Sequence, residues 1–377
     1  MSTSVGTAIL GAGIFAKEAH IPALGFLGDA AAPLKAVYSR SEKSSRDLAD
    51  FAATTLKLTT PPDVYHDGDK ATDLDALLAR TDIHSVIIAL PITLQPSIVL
   101  KALAAGKHVL SEKPVAPDVA SGIELIKTYN STYKPKGLIW RVAENFEAEK
   151  AVQAAAEAIR AGKIGKVIFF KAVVVNYIDK TSKWYLSPWR TVPDYQGGFL
   201  LDGGVHTIAV LRTVLPHRLT HLSGFASLNK DYLAPHDTIH AIVKADSQFH
   251  GTVELTWANP TSSRSTADGF VITGTDGWLT VDHSWQPKPV FRVVITSVVK
   301  AEGEPEREVE EVIEHPINGV AEEIGSFFRA IGGQNEAGFN LGDPLEALRD
   351  VAFIQAGLNS NGQLVDLIDL VPSTLDV

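Results

Sequence analysis

The feature that most constrains this chain is Gly11-Ala12-Gly13-Ile14-Phe15-Ala16, which directly follows a short apolar run at residues 7–10. A G-x-G-x-x-A stretch between a strand and a helix is a strand-turn-helix unit, the opening of a parallel sheet with crossover helices. Gly11 permits the tight turn, Gly13 lets the backbone approach a phosphate group, and Ala16 lets helix and strand pack closely. Backbone N–H groups at the helix start, around Ile14 and Phe15, then face an anion, so the segment reads as a dinucleotide pyrophosphate site. The plain alternative is a glycine turn that holds nothing.

The rest of the chain bears out a two-part plan. With 377 residues, two cores are expected at roughly 150 residues per domain. Apolar runs at 7–10, 34–38, 85–90, 108–110 and 138–142 alternate with helical patterns at 16–27, 44–54, 74–80, 95–105 and 118–133. This predicts an α/β Rossmann domain over residues 1–145, doubly wound around a mainly parallel sheet. After a helix at 147–161 the pattern changes to longer β-rich stretches at 167–177, 219–228, 238–245, 251–257, 269–273, 278–281 and 290–299. Helices at 201–214, 320–331 and 344–358 accompany them, so residues 146–377 read as an α+β domain with a large, mostly antiparallel open sheet. The last helix is expected to pack back on the first domain. The Glu-rich run at 302–314 reads as a solvated edge or turn.

Charge and composition narrow the partners. A net charge of -10, from 34 basic against 44 acidic residues, leaves no positive field for nucleic acid or anionic lipid. No stretch approaches the ~20 apolar residues that span a bilayer, and the start lacks a secretion pattern, so a cytosolic protein is expected. The absence of cysteine excludes disulfides, zinc-thiolate sites and thiol nucleophiles. His217 with His221, and His236 with His240, have i,i+4 spacing but fall in loops and strands, so no metal site is expected.

The end of the second strand bears on which dinucleotide binds. An NAD-specific fold usually has a carboxylate there for the ribose 2'-hydroxyl, whereas this chain reads Ser39-Arg40. Both can bind a 2'-phosphate, which favours NADP(H) over NAD(H). The alternative for Arg40 is an exposed loop arginine. At another strand end, Ser111-Glu112-Lys113-Pro114 delivers Lys113 to the carboxyl edge of the sheet, suited to proton exchange with a substrate hydroxyl. Pro114 permits a cis bond. Further on, Asp202 and His206 stand four apart where a helix begins, so both can point at one substrate. A capping aspartate with a core histidine is the competing reading. Trp184, Tyr185, Trp189 and Tyr195 form an aromatic cluster that can stack on a sugar ring or simply pack a loop.

The glycine motif with His20-Ile21-Pro22-Ala23-Leu24, the segment Ala105-Gly106-Lys107-His108-Val109-Leu110-Ser111-Glu112-Lys113-Pro114, Trp189-Arg190, and Gly197-Gly198 leading to Asp202-x-x-x-His206 together resemble the Gfo/Idh/MocA oxidoreductase family. The resemblance spans about residues 5–360. It implies a nicotinamide-dependent oxidoreductase acting on a sugar, polyol or related alcohol, with Lys113 and His206 handling the proton and Asp202 positioning substrate. It further implies that Leu90-Pro91 and Glu112 line the nicotinamide-ribose region, and that Trp189-Arg190 approach cofactor or substrate. Tyr177 begins the segment expected to shape the substrate pocket, and the open sheet is expected to support a dimer or tetramer. Two departures stand out: Arg141-Val142-Ala143-Glu144-Asn145-Phe146 replaces the family's usual stretch, and Ile92-Thr93-Leu94-Gln95-Pro96 lacks its usual asparagine and histidine. A cofactor-sensing regulatory protein on the same fold, or a reductase of a dihydrodiol, imine or tetrapyrrole, are the alternatives.

Overall fold

The structure is a computed structural model that describes residues 5–246, 249–263, 268–284, 287–299, 305–334, 338–372 and 374–375. It divides into two compact units, Met1–Asn145 with Val320–Leu348 and Thr374–Val377, and Phe146–Gly319 with Arg349–Ser373.

In the first unit, β1 (Gly6–Leu10), β2 (Leu34–Ser39), β3 (Asp63–His66), β4 (Ile83–Ile88), β5 (His108–Glu112) and β6 (Trp140–Ala143) form one sheet in the order β3-β2-β1-β4-β5-β6. Every pairing is parallel. Strand order reverses between β1 and β4, so a ligand crevice is expected beyond their carboxyl ends, at Leu10 and Ile88. Strand β3, beyond the five expected, is a short edge strand with no fully buried residue and so no apolar run to signal it. Strand β4 ends two residues earlier than expected, at Ile88, and β5 runs on through Ser111 to Glu112.

The helices are α1 (Ile21–Leu27), α2 (Glu42–Thr55), α3 (Leu74–Leu78), α4 (Gln95–Ala104) and α5 (Val119–Thr128). Helix α2 buries Ser45, Leu48, Ala49 and Ala52, one face at helical spacing, and Ser41 caps it by accepting from the Ser44 N–H. Asp118, expected inside a helix, instead caps α5 in the same way. Leu24 and Leu48 from the helices meet Ile9, Val37, Ile87 and Leu110 from the strands in one core. Lys107 is buried before β5, where its ammonium donates to the Arg80 and Ile83 carbonyls at 2.6 and 2.7 Å. Burial pulls its pKa down.

In the second unit the strands are β7 (Val167–Val175), β8 (Leu219–Ser227), β9 (Thr238–Ala245), β10 (Phe249–Thr256), β11 (Gly269–Gly274), β12 (Gly277–Ser284), β13 (Val290–Val299), β14 (Arg307–Pro316) and β15 (Val365–Asp366). Their order is β14-β13-β12-β11-β7-β10-β9-β8-β15, antiparallel except for the β7–β10 pair. One face packs under α6 (Lys150–Arg160) and α8 (Phe199–Val214), while α7 (Pro188–Thr191) is a single turn. Helix α6 starts at Lys150 rather than 147 because the backbone at Glu149 is extended, and the Glu149 carboxylate accepts from the N–H groups of Asn318 and Gly319. Strand β10 alternates as its pattern demands, burying Phe249, Gly251, Val253 and Leu255. Exposed Phe169, Phe225, Ile242 and Trp278 lie on the opposite face, as the pairings Ile242–Thr252 and Phe169–Thr273–Trp278 show.

The Glu-rich run does lie at a sheet edge: β14 is an edge strand with no fully buried residue, and residues 302–304 lie outside the described residues. Helix α9 (Gly319–Ile331) contributes Ala321, Ile324 and Phe327 to the core of the first unit. Of α10 (Pro344–Asn359), only the start belongs with that unit; the rest, from Arg349, and α11 (Leu367–Leu370) belong to the second. The chain therefore returns to the first unit with α9 and the start of α10. Among the described residues, no helix is long and apolar enough to cross a membrane.

Candidate active site

The glycine turn is built by the close approach of two strand ends. Gly11 has φ +117°, and a Cβ there would collide with the Ala89 carbonyl oxygen. The approach is held by hydrogen bonds from Ala89 N–H to Leu10 and from Gly11 N–H to Tyr38, both 2.8 Å. A Cβ on Gly13 would meet nothing within 4 Å, so its backbone faces open space, and Ala16 is fully buried against the core. These residues fit a pyrophosphate: a glycine at positive φ where a Cβ has no room, an open glycine and the start of a helix.

At the end of β2, Ser39 is half-buried and Arg40 is exposed. A carboxylate from beyond β3 reaches this strand end: Asp67 accepts from the Tyr38 hydroxyl at 2.7 Å. Burial and this hydrogen bond push the Tyr38 phenol well above its usual range. Leu90 and Pro91 follow β4 as a half-buried turn. Glu112 closes β5, and half-buried Lys113 follows it, joined to Pro114 by a cis peptide bond. His20 was marked only by its place in a motif, yet its Nε2 lies 2.8 Å from Glu112 Oε1. Arg141 donates to Ser326 of α9 at 2.5 Å, which gives this departure from the family pattern a structural role.

In the second unit Asp202 and His206 lie one turn apart on α8. The helix is capped at Gly198, so Asp202 sits inside the first turn, and the capping alternative is excluded. Gly203 and Gly204 let α8 lie tight: a Cβ on the first would come within 2.5 Å of Trp257, on the second within 2.9 Å of Ile354. Arg190 of α7 donates its Nε to Asp202 Oδ2 at 2.7 Å, both side chains being largely buried. The guanidinium lies 3.9 Å from the Trp189 ring centre and 5.2 Å from that of Trp184. Tyr195 packs near Trp189, and burial, with Asp202 adding, pushes its phenol up. Trp184 and Trp189 thus pack against Arg190 where it meets Asp202, while Tyr185 packs edge-on against Tyr232. His206 stacks on Phe146 at 4.5 Å and 27°, a contact that no spacing rule signalled. Tyr177 stands in another group: it is exposed, bridges to Ala258, and lies under the Lys230 ammonium at 4.5 Å. His240 is exposed on β9, and His221 lies 3.5 Å from Asp366.

Comparison with known proteins agrees with both units. Residues 5–135 match the oxidoreductase family with an NAD-binding Rossmann fold, and residues 152–280 match the GFO/IDH/MocA C-terminal domain. Dehydrogenase FPY6 of Fusarium mangiferae is 40% identical over 366 residues, covering 94% of this chain and 96% of that protein. Levoglucosan dehydrogenase of Pseudarthrobacter phenanthrenivorans is 28% identical over 240 residues, 57% of this chain and 59% of that one. Among solved structures, an oxidoreductase from Thermotoga maritima has a TM-score of 0.78 at 28% identity, covering 97% of this chain and 99% of its own. A levoglucosan dehydrogenase in complex with NADH and levoglucosan shares the fold at a TM-score of 0.73 and 20% identity, over 98% of this chain and 100% of its own. With near full-length similarity to a named dehydrogenase and both halves matched, the chain belongs to the Gfo/Idh/MocA family of oxidoreductases.

Proposed function

We propose that the protein is an NADP(H)-dependent oxidoreductase that moves a hydride between nicotinamide C4 and a secondary alcohol or carbonyl of a sugar, polyol or related small molecule. The observation that carries this reading is the arrangement in the first unit, where the glycine turn after β1 and Lys113 after β5 share the carboxyl edge of one parallel sheet. When bound, the cofactor supplies the hydride chemistry. The Gly11 to Phe15 backbone receives the pyrophosphate, and Leu90, Pro91 and Glu112 line the nicotinamide-ribose region. Lys113 Nζ and the His206 imidazole exchange the proton of the substrate hydroxyl, each holding it at a defined atom. Asp202, held by Arg190, orients the substrate, with Trp189 lining its pocket. The sugar or polyol class is supported by the relative that acts on levoglucosan.

Ser39 and Arg40 support NADP(H), since neither position carries a carboxylate. Titration with NADPH and NADH, read by nicotinamide fluorescence, is expected to favour NADPH by about tenfold or more through charge-assisted bonds to the 2'-phosphate. That preference should vanish in Arg40→Ala. NADH binding as tightly would overturn the cofactor choice, and binding of neither would remove the dehydrogenase reading.

The open sheet face supports self-association through Phe169, Phe225, Ile242 and Trp278, since a patch of large exposed apolar side chains marks an interface. Light scattering is expected to give a dimer or tetramer mass that falls toward the 40.5 kDa monomer in Ile242→Lys. A monomer mass for the unmodified chain would refute it.

A further inference from the structure

A buried imidazole ties the first helix to the strand end that carries Lys113. His20 is fully buried, and its Nε2 meets Glu112 Oε1 at 2.8 Å across 92 positions of sequence. With Glu112 ionised, Nε2 carries the hydrogen and donates it. The other ring nitrogen, Nδ1, is buried and has no hydrogen-bond partner among the described residues. An idle polar atom in a core is a cost that an apolar ring would avoid, so the ring is retained for what Nε2 does.

The backbone points the same way. Residues Ala16–His20 wind as a π-helix, with the Ile21 N–H reaching back to the Ala16 carbonyl. Such turns are rare in proteins and recur at functional sites. His20 is the last of the five residues in this one. Phe15 packs edge-on against its ring at 5.1 Å and 88°, fixing the ring plane. The same helical segment begins at the Gly11–Gly13 cradle, and Glu112 is the residue before Lys113. The His20–Glu112 bond therefore links the helix that follows the phosphate turn to the Lys113 strand end within the first unit.

We infer that His20 is a positioning residue for the nicotinamide cofactor: it holds the Glu112 carboxylate in one orientation, so that the strand end is preset when the cofactor arrives. This rests on the proposed nicotinamide site. Holding the carboxylate in place spares its ordering on binding, so affinity for the cofactor should depend on the hydrogen bond and not only on the presence of Glu112.

The test uses the full chain and the fluorescence of NADPH or NADH, whichever the unmodified protein binds more tightly, with thermal midpoints as a check on folding. His20→Leu is expected to weaken binding by about tenfold, while His20→Gln, which keeps a donor near the Nε2 position, stays within about threefold. Glu112→Met combined with His20→Leu should bind no more weakly than the weaker single variant, because either substitution alone already removes the shared hydrogen bond. Should His20→Leu fail to fold, His20→Asn, whose donor falls short of Glu112, takes its place with the same expected loss. Binding within about twofold of the unmodified protein in the Leu or Asn variant, equal losses in the Gln variant, or losses that multiply in the double variant would each overturn the inference. An unmodified protein that binds neither nucleotide would instead remove the functional reading on which it rests.

Discussion

Replacing Lys113 by Met is expected to lower turnover by about three orders of magnitude while leaving NADPH affinity within about threefold. Methionine keeps the length and much of the volume of the lysine stem, so the half-buried site after β5 stays filled and the strand end keeps its shape. What it removes is the ammonium, and with it an atom that can give or take the proton of the substrate hydroxyl. Proton transfer by a positioned side chain is worth roughly a hundredfold to ten-thousandfold, which sets the size of the loss. The measurement is steady-state turnover on any sugar or polyol the unmodified protein oxidises, alongside fluorescence titration of NADPH. A variant that loses both properties equally would show that Lys113 is structural. Turnover unchanged within a few fold would remove it from the chemistry altogether.

The second large effect concerns the Arg190–Asp202 pair. In Arg190→Met, a buried carboxylate loses the guanidinium that sits 2.7 Å from it, while the stacking of that group on Trp189 is also lost. Removing one partner of a buried pair costs about 3–5 kcal/mol, whereas removing both is often close to neutral. Denaturant unfolding should therefore show a marked loss for Arg190→Met. The double variant Arg190→Met with Asp202→Leu should recover most of that stability. Turnover is expected to behave differently and to stay low in the double variant, because the recovered fold no longer has the carboxylate that orients the substrate. A double variant with restored turnover would show that the pair only braces α7 against α8. If Arg190→Met is as stable as the unmodified chain, the ion pair carries no weight in the fold.

The Rossmann half of the fold was largely legible in the sequence because its signals are local. Buried parallel strands are continuous apolar runs, and the glycine turn, the helix faces and the Ser41 cap each depend on a few neighbouring residues. The edge strand β3 escaped because half-exposed strands at a sheet margin need no apolar run. The α+β half was legible as elements but not as an order, since the nine-strand sequence β14-β13-β12-β11-β7-β10-β9-β8-β15 is set by pairings between distant segments.

The same division holds for the site. Gly11, Gly13, Lys113, Asp202 and His206 could be singled out from type and spacing alone, because the geometry each requires is that of one turn, one strand end or one helix face. Their partners could not. The hydrogen bond from His20 to Glu112, the stack of Phe146 on His206, the clasp of Arg190 on Asp202 and the capture of Asp67 by Tyr38 join residues that no periodicity relates. Sequence thus determined which chemical groups the protein has at its strand and helix ends. Only the tertiary structure decided which of them hold one another in place, because hydrogen bonds and ring contacts depend on distances of a few ångströms that chain separation does not encode.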